Sequence, residues 1–170
     1  MLMAEAFSSL LQVWEQGELF AIPTSLVVDG VIMSLFQVLV RTLMTQNANK
    51  TWGPSNSQEV TAYATLTISK ASTLPFAAVI RAQVDSAIAS AQEFLPRTKE
   101  TAPSFLWVEK VTYGSIVLGE SYVLAALNAS PKVPLSLSSR VANGFVEPSN
   151  NSRPCLSSST LTRQDPLSGC

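Results

Sequence analysis

Apolar residues return at steps of three and four along most of the first 129 positions, and polar or helix-breaking clusters interrupt them at short intervals. Between residues 1 and 16, Leu2, Ala6, Leu10, Val13 and Trp14 share one side of a helix, and Gly17 supplies a stop. Pro23, Thr24 and Ser25 then open a longer run from Leu26 to Met44. Its apolar residues go most of the way round, so this second helix is expected to be covered on more than one side.

The run stops at the stretch QNANKTWG, residues 46–53, where polar turn formers surround a tryptophan. Ser55, followed three residues later by Gln58, has the form of a capping box. A third helix is predicted over 58–73, with Val60, Tyr63, Ala64, Thr67, Ile68 and Ala71 on one face, closed by Leu74 and Pro75. A fourth follows over 76–95 and ends at Pro96. Phe105 to Val108 is an apolar run too short for a helix and is expected to lie extended against the core, and a fifth helix is predicted over 115–128.

From Ser130 the pattern changes. Five prolines, at 131, 134, 148, 154 and 166, punctuate a Ser-rich segment with no sustained period, as expected of a disordered tail. The organisation that follows is an all-α helical region over 1–129 and a tail over 130–170. Short Pro- or Gly-marked connections suit antiparallel helical hairpins, part of a larger helical layer.

Composition narrows the function more than the fold. Charged residues make up only 14%, the formal net charge is −1, and no basic cluster occurs, so neither nucleic acid nor an anionic membrane surface is an expected partner. The Leu26–Met44 run carries Asp29 and Arg41 along with Ser34, Gln37 and Thr42, which argues for a buried helix rather than a membrane span. The first residues lack the basic-then-apolar layout of a secretory leader, and a cytoplasmic location is expected. Three glycosylation sequons, at Asn49, Asn128 and Asn150, are read as chance matches in a chain rich in Ser, Thr and Asn.

The chain contains no histidine, which excludes Ser-His and Cys-His nucleophile arrangements. Its two cysteines, Cys155 and Cys170, both fall in the tail and support neither a zinc site nor a disulfide framework. There is no Gly-rich phosphate loop and no Gly-x-Ser-x-Gly elbow. Magnesium-dependent diphosphate chemistry needs clustered carboxylates, and no two Asp residues lie within four positions of one another. Asp29 and Asp85 read as helix-surface charges. Glu59 and Tyr63, four apart on a helix, read as a buried carboxylate satisfied by a hydroxyl.

The stretch from Gln46 to Gly53 resembles the Gln-to-Trp repeat of terpene cyclases, Q-N-x-D-G-S-W-G, in which Gln and Trp are structural and tie a turn to neighbouring helix ends in an α/α barrel. Glu59-Val60-Thr61-Ala62-Tyr63-Ala64 resembles the E-E-T-A-Y-A segment that follows that repeat in class II diterpene cyclases. Leu106 to Tyr113 and Glu120 to Leu127 resemble the close of the same domain. Together these segments are most similar to fungal bifunctional cyclases of the copalyl diphosphate and ent-kaurene synthase type, over roughly Met1 to Ala129.

The resemblance implies a partial α/α barrel and a place in diterpenoid biosynthesis, among enzymes that cyclise geranylgeranyl diphosphate. It also implies departures. Lys50 stands where the family has Gly and Asn49 where it has Asp, which costs the turn an easy left-handed position. Neither the protonating D-x-D-D motif nor the ionising D-D-x-x-D motif occurs in the chain. The expectation is therefore the final portion of a class II domain, truncated and inactive alone, with magnesium needed only by full-length relatives and no cofactor held here. Trp52, Tyr63, Trp107 and Tyr113 are candidate aromatics for the wall of a cation pocket or for packing. Three alternatives follow: a segment that meets a prenyl diphosphate only when another domain completes it, a non-catalytic helical protein that binds a companion cyclase fragment or a second copy of itself, or a decayed remnant.

Overall fold

The computed structural model describes residues 1–19, 21–76, 78–97, 106–108, 111–113 and 115–137, with the side chains of 55, 106–108 and 111–113 outside that description. Five α-helices follow one another: α1 (Leu2–Glu15), α2 (Met33–Met44), α3 (Gln58–Ala71), α4 (Ala78–Phe94) and α5 (Ile116–Leu127). A short antiparallel hairpin of β1 (Leu106–Val108) and β2 (Val111–Tyr113) precedes α5, pairing Trp107 with Thr112. Apart from that hairpin the described residues show the all-helical class expected from the pattern, and Leu106–Val108 is extended as anticipated.

Helix α1 ends where the sequence placed its stop. Gly17 takes φ +89°, which lets the Glu18 N–H reach back to the Val13 carbonyl at 3.3 Å. The run expected as one helix from Leu26 begins instead as a π-helical segment, Leu26–Ile32, that continues into α2. Four β-branched residues crowd this turn, Val27, Val28, Val31 and Ile32, while Gly30 removes a side chain from it; a wider turn relieves the crowding.

The surrounded helix is α3, rather than the Leu26–Met44 segment. Helices α1, α2, α4 and α5 all pack against it. Burial extends beyond the predicted face to Glu59, Thr61, Thr65 and Ser69. Small residues let four neighbours approach closely, and two of the buried hydroxyls are satisfied within the helix: Thr65 donates to the Thr61 carbonyl at 2.8 Å and Thr67 to the Tyr63 carbonyl at 2.7 Å. No buried side-chain polar atom is left without a partner among the described residues.

The expected capping box is displaced by two residues. Ser57, not Ser55, caps α3, its hydroxyl accepting from the Val60 N–H at 3.4 Å, because Pro54–Asn56 forms a 3-10 turn that takes Ser55 out of the capping position.

Around this hub the main core joins Leu11 and Trp14 of α1, Leu35 and Leu39 of α2, Ile68 of α3 and Val84 of α4. A smaller cluster sets Ala62 and Leu95 against Ala126 of α5. By contrast, the Leu26–Met44 segment buries Val27, Leu35 and Leu39 and leaves Leu26, Met33 and Met44 exposed. It is long and apolar enough to cross a bilayer by length and composition.

Packed chain also continues past Ala129. Ser69 donates to the Ser130 carbonyl, the Lys132 N–H to the Ser72 hydroxyl, and the Leu135 N–H to the Thr73 carbonyl at 2.8 Å, and Leu137 is buried in the main core. Residues 130–137 thus form a strap over the C-terminal end of α3. The remainder of the segment expected to be a disordered tail, with Asn150, Cys155 and Cys170, lies outside the described residues.

Candidate functional site: the Gln46 to Gly53 turn and its neighbours

The turn that links α2 to α3 is closed from within. The Asn47 N–H donates to the Thr51 carbonyl at 2.8 Å, and the Lys50 N–H returns to the Asn47 carbonyl at 2.9 Å. Asn47 adds a second layer, its amide nitrogen donating to the Gly53 carbonyl at 3.0 Å and to the Thr51 hydroxyl at 3.2 Å. That hydroxyl is fully buried and lies 2.7 Å from Asn49 Oδ1 and 2.9 Å from Asn56 Oδ1. Three asparagines converge on one threonine.

Trp52 carries the turn outward. Its ring nitrogen donates to the Thr42 carbonyl in the last turn of α2 at 2.7 Å, and its backbone N–H donates to the Thr61 hydroxyl on α3 at 3.1 Å. The indole is 3% exposed. One residue therefore links the end of α2, the turn and the first turns of α3. Gln46 acts more locally, its amide donating to the Lys50 carbonyl at 3.2 Å within the turn itself.

Two backbone positions show what this geometry demands. Lys50 has φ +68°, the left-handed region that costs a residue with a Cβ about 1–2 kcal/mol. Gly53 has φ +79°, and a Cβ there would come within 2.9 Å of the Val60 side chain. The glycine is required twice over, by angle and by space.

Beyond the turn, Tyr63 donates its hydroxyl to Glu59 Oε1 at 2.8 Å, and Glu59 is 4% exposed. The Tyr63 ring meets Tyr122 of α5 with centroids 4.7 Å apart and planes tilted by 59°. Gly119 of α5 faces the Glu59 carboxylate, where an added Cβ would sit 3.8 Å from Cδ. Glu59, Tyr63, Gly119 and Tyr122 thus form the seam between α3 and α5.

The structure brings Gln46 and Trp52 into one turn and sets Tyr63 on another face of α3. Trp107 and Tyr113 fall on the two strands, their side chains outside the described part. Asn49 is exposed at the tip of the turn but shares its side-chain oxygen with buried Thr51, and Asn128 caps α5, donating to the Leu124 carbonyl at 2.8 Å. Asp29 and Asp85 are exposed, and Asp85 lies 3.7 Å from Arg81. Among the described residues no three Cys, Asp or Glu side chains cluster where a metal ion could be held. The described residues thus offer no carboxylate cluster to a magnesium ion.

Sequence reasoning passed over Asn47, Thr51, Thr42 and Thr61. Asn47 and Thr51 could have been found, since both lie inside the quoted stretch and are strong turn formers. The carbonyl of Thr42 and the hydroxyl of Thr61 carry no sequence signal for a partner ten or nine positions away.

The chain is 51% identical over 130 residues to a pimaradiene synthase of Emericella nidulans, 76% of this chain and 13% of that protein. It is 35% identical over 136 residues to a copalyl diphosphate synthase of Talaromyces verruculosus, 79% of this chain and 14% of that protein. It is 34% identical over 135 residues to a phyllocladan-16-alpha-ol synthase of Phomopsis amygdali, 76% of this chain and 13% of that protein. No family model and no solved structure matches. The chain spans only about a seventh of the length of these relatives. Within that limit, the chain is a homologue of the fungal diterpene cyclases.

Proposed function

We propose that this chain is a framework segment of a diterpene cyclase of secondary metabolism, supplying helices and part of an apolar wall without the groups that do the chemistry. The observation that supports this most is the Trp52 tie, found inside a region half identical to a pimaradiene synthase. A turn with three asparagines on one buried threonine fixes helix ends. It offers no proton donor to an alkene and no grip on a diphosphate.

Cyclisation of a prenyl diphosphate such as geranylgeranyl diphosphate needs a carboxylic acid that protonates an alkene, or metal-held carboxylates that ionise a diphosphate. Neither Asp-rich motif occurs in these 170 residues. In this reading the substrate meets the segment only when another domain completes it, magnesium is held elsewhere, and the protein works in the cytoplasm with Leu26–Met44 packed against protein rather than lipid.

A second reading, a non-catalytic partner of a companion cyclase fragment or of another copy of itself, is favoured by one observation. The outer side of α5 exposes Val117 at 73% and Leu124 at 62%, and Met44 at the end of α2 is 80% exposed. Surfaces of this kind are normally covered.

Incubating the purified chain with geranylgeranyl diphosphate and magnesium, followed by analysis of hydrocarbons and dephosphorylated alcohols, tests the proposal. The expected result is unchanged substrate. Any cyclic diterpene would overturn the assignment of a framework role.

A further inference from the structure

We infer that Ser130 is a phosphorylation site for a proline-directed Ser/Thr kinase, and that a phosphate there loosens the 130–137 strap from α3. The chain has ten prolines, and only Pro131 follows a Ser or Thr. That pair stands at the joint where α5 has ended and the strap begins. The transfer needs ATP as phosphoryl donor. The Ser130 oxygen bonds to the γ-phosphorus, the bond from that phosphorus to the bridging oxygen breaks, ADP leaves and the hydroxyl proton is released.

Placement makes this serine available. Ser130 is exposed, and residues 129–136 belong to no helix or strand. Pro131 has no N–H and disfavours helical angles at the residue before it, so Ser130 is offered in the extended form in which a kinase cleft takes a peptide. Its hydroxyl makes no hydrogen bond to a described residue. The two serines beneath it differ, since both are buried and bonded. Ser69 donates to the Ser130 carbonyl at 2.7 Å, and Ser72 donates to the Ser69 carbonyl at 2.7 Å while accepting from the Lys132 N–H at 2.6 Å.

A phosphate at this joint meets the wrong charge. Ser130 follows the C-terminal, negative end of the α5 dipole, and the last turn of α5 carries no basic residue. The carbonyls of Ala126, Leu127 and Ala129 already share one donor there, the Gln92 amide nitrogen, at 3.1, 3.1 and 2.7 Å. Phosphoserine adds about −1.5 to −2 charge at pH 7, which repels those oxygens and strains the Ser69 bond to the Ser130 carbonyl. Lys132, two positions on, is exposed and offers only a solvent-screened pairing. Arg81 donates to the Ser72 carbonyl at 2.8 Å and to the Lys132 carbonyl at 2.6 Å, so a phosphate that draws the guanidinium away removes the bonds that hold the strap.

The test incubates the full chain with a purified mitogen-activated protein kinase and ATP, locates phosphate by mass spectrometry, and follows hydrogen exchange at the Lys132 and Leu135 amides. The expected result is phosphate on Ser130, with exchange at both amides about fivefold faster or more and an unchanged helical circular dichroism signal. Ser130→Ala should take up no phosphate and exchange as the unmodified chain does. A synthetic peptide of residues 126–136, treated in parallel, shows whether the motif itself is accepted. A peptide that stays unmodified, a modified peptide beside an unmodified full chain, or phosphate only at another residue would overturn the site. Phosphate on Ser130 with unchanged or slower exchange would overturn the loosening, as would faster exchange accompanied by loss of the helical signal.

Discussion

The ring nitrogen of Trp52 donates to the main-chain carbonyl of Thr42 at 2.7 Å. The end of α2 is thereby fixed to the turn that starts α3. A carbonyl in the last turn of a helix has no partner further along the helix, and here the indole supplies one alongside the Thr45 hydroxyl at 3.1 Å.

Replacing Trp52 by Phe removes that donor and keeps most of the ring. A loss of about 1–3 kcal/mol is expected from the lost hydrogen bond, since the Thr42 carbonyl keeps only the Thr45 hydroxyl, together with a smaller ring. Trp52→Ala, which opens a cavity, should cost about 3–5 kcal/mol. Urea unfolding followed by circular dichroism reads both. Equal stabilities for the Phe variant and wild type would show that the tie contributes nothing.

Lys50 and Gly53 both adopt positive φ, but only one of them is a glycine. Lys50→Gly should raise the stability by about 0.5–1 kcal/mol, the relief of left-handed strain being partly offset by the greater freedom of glycine when unfolded. Gly53→Ala should lower it, because the new methyl group would meet Val60 at 2.9 Å as well as an unfavourable angle. Opposite shifts of the urea midpoint are the expected signature.

Arg81 holds the strap through the Lys132 carbonyl and the α3 end through the Ser72 carbonyl. Arg81→Gln should leave the helical circular dichroism signal unchanged while speeding hydrogen exchange at the Leu135 amide, which is bonded to Thr73. A charged hydrogen bond of this kind contributes about 1.5–3 kcal/mol, enough to change local exchange by an order of magnitude or more.

Glu5 is paired with Lys70 at 2.8 Å, and the hydrogen bond and charge of that ammonium hold its carboxyl below the ordinary value of 4.5. A lowered folded-state value means the unfolded chain binds the proton more readily. The stabilisation is therefore full above 4.5 and is lost as pH falls through the lowered value. Both side chains are more than a third exposed or nearly so, 47% for Glu5 and 35% for Lys70, so the effect should stay under about 1 kcal/mol and shrink with added salt. Glu5→Gln should flatten the difference between urea midpoints at neutral pH and at acid pH.

Helix number and order were legible because apolar period, Gly17 and the prolines all act locally, within a turn or two of where they stand in the sequence. The Gln46 to Trp52 turn was legible as a motif for the same reason. What was not legible depends on contacts distant in sequence. The amphipathic pattern of α3 named one face, but only tertiary packing on four sides explains why Thr61, Thr65 and Ser69 are buried too. The strap was obscured by composition, since prolines and serines at 130–137 suit disorder equally well, and its order comes from Arg81 and Ser72, about fifty to sixty positions away. Ser55 misled because a capping pattern says nothing about a proline turn preceding it.

Exchange of the matched region tests the framework role most directly. The 130 residues of the Emericella nidulans pimaradiene synthase that align with this chain would be replaced by their counterparts here, and the chimera assayed for cyclic diterpenes by gas chromatography. If the region is framework, a soluble, folded chimera should still form a cyclic diterpene, and the same chimera with Trp52→Ala should lose both thermal stability and product. A chimera that melts like the parent enzyme yet forms no cyclic product would contradict the account.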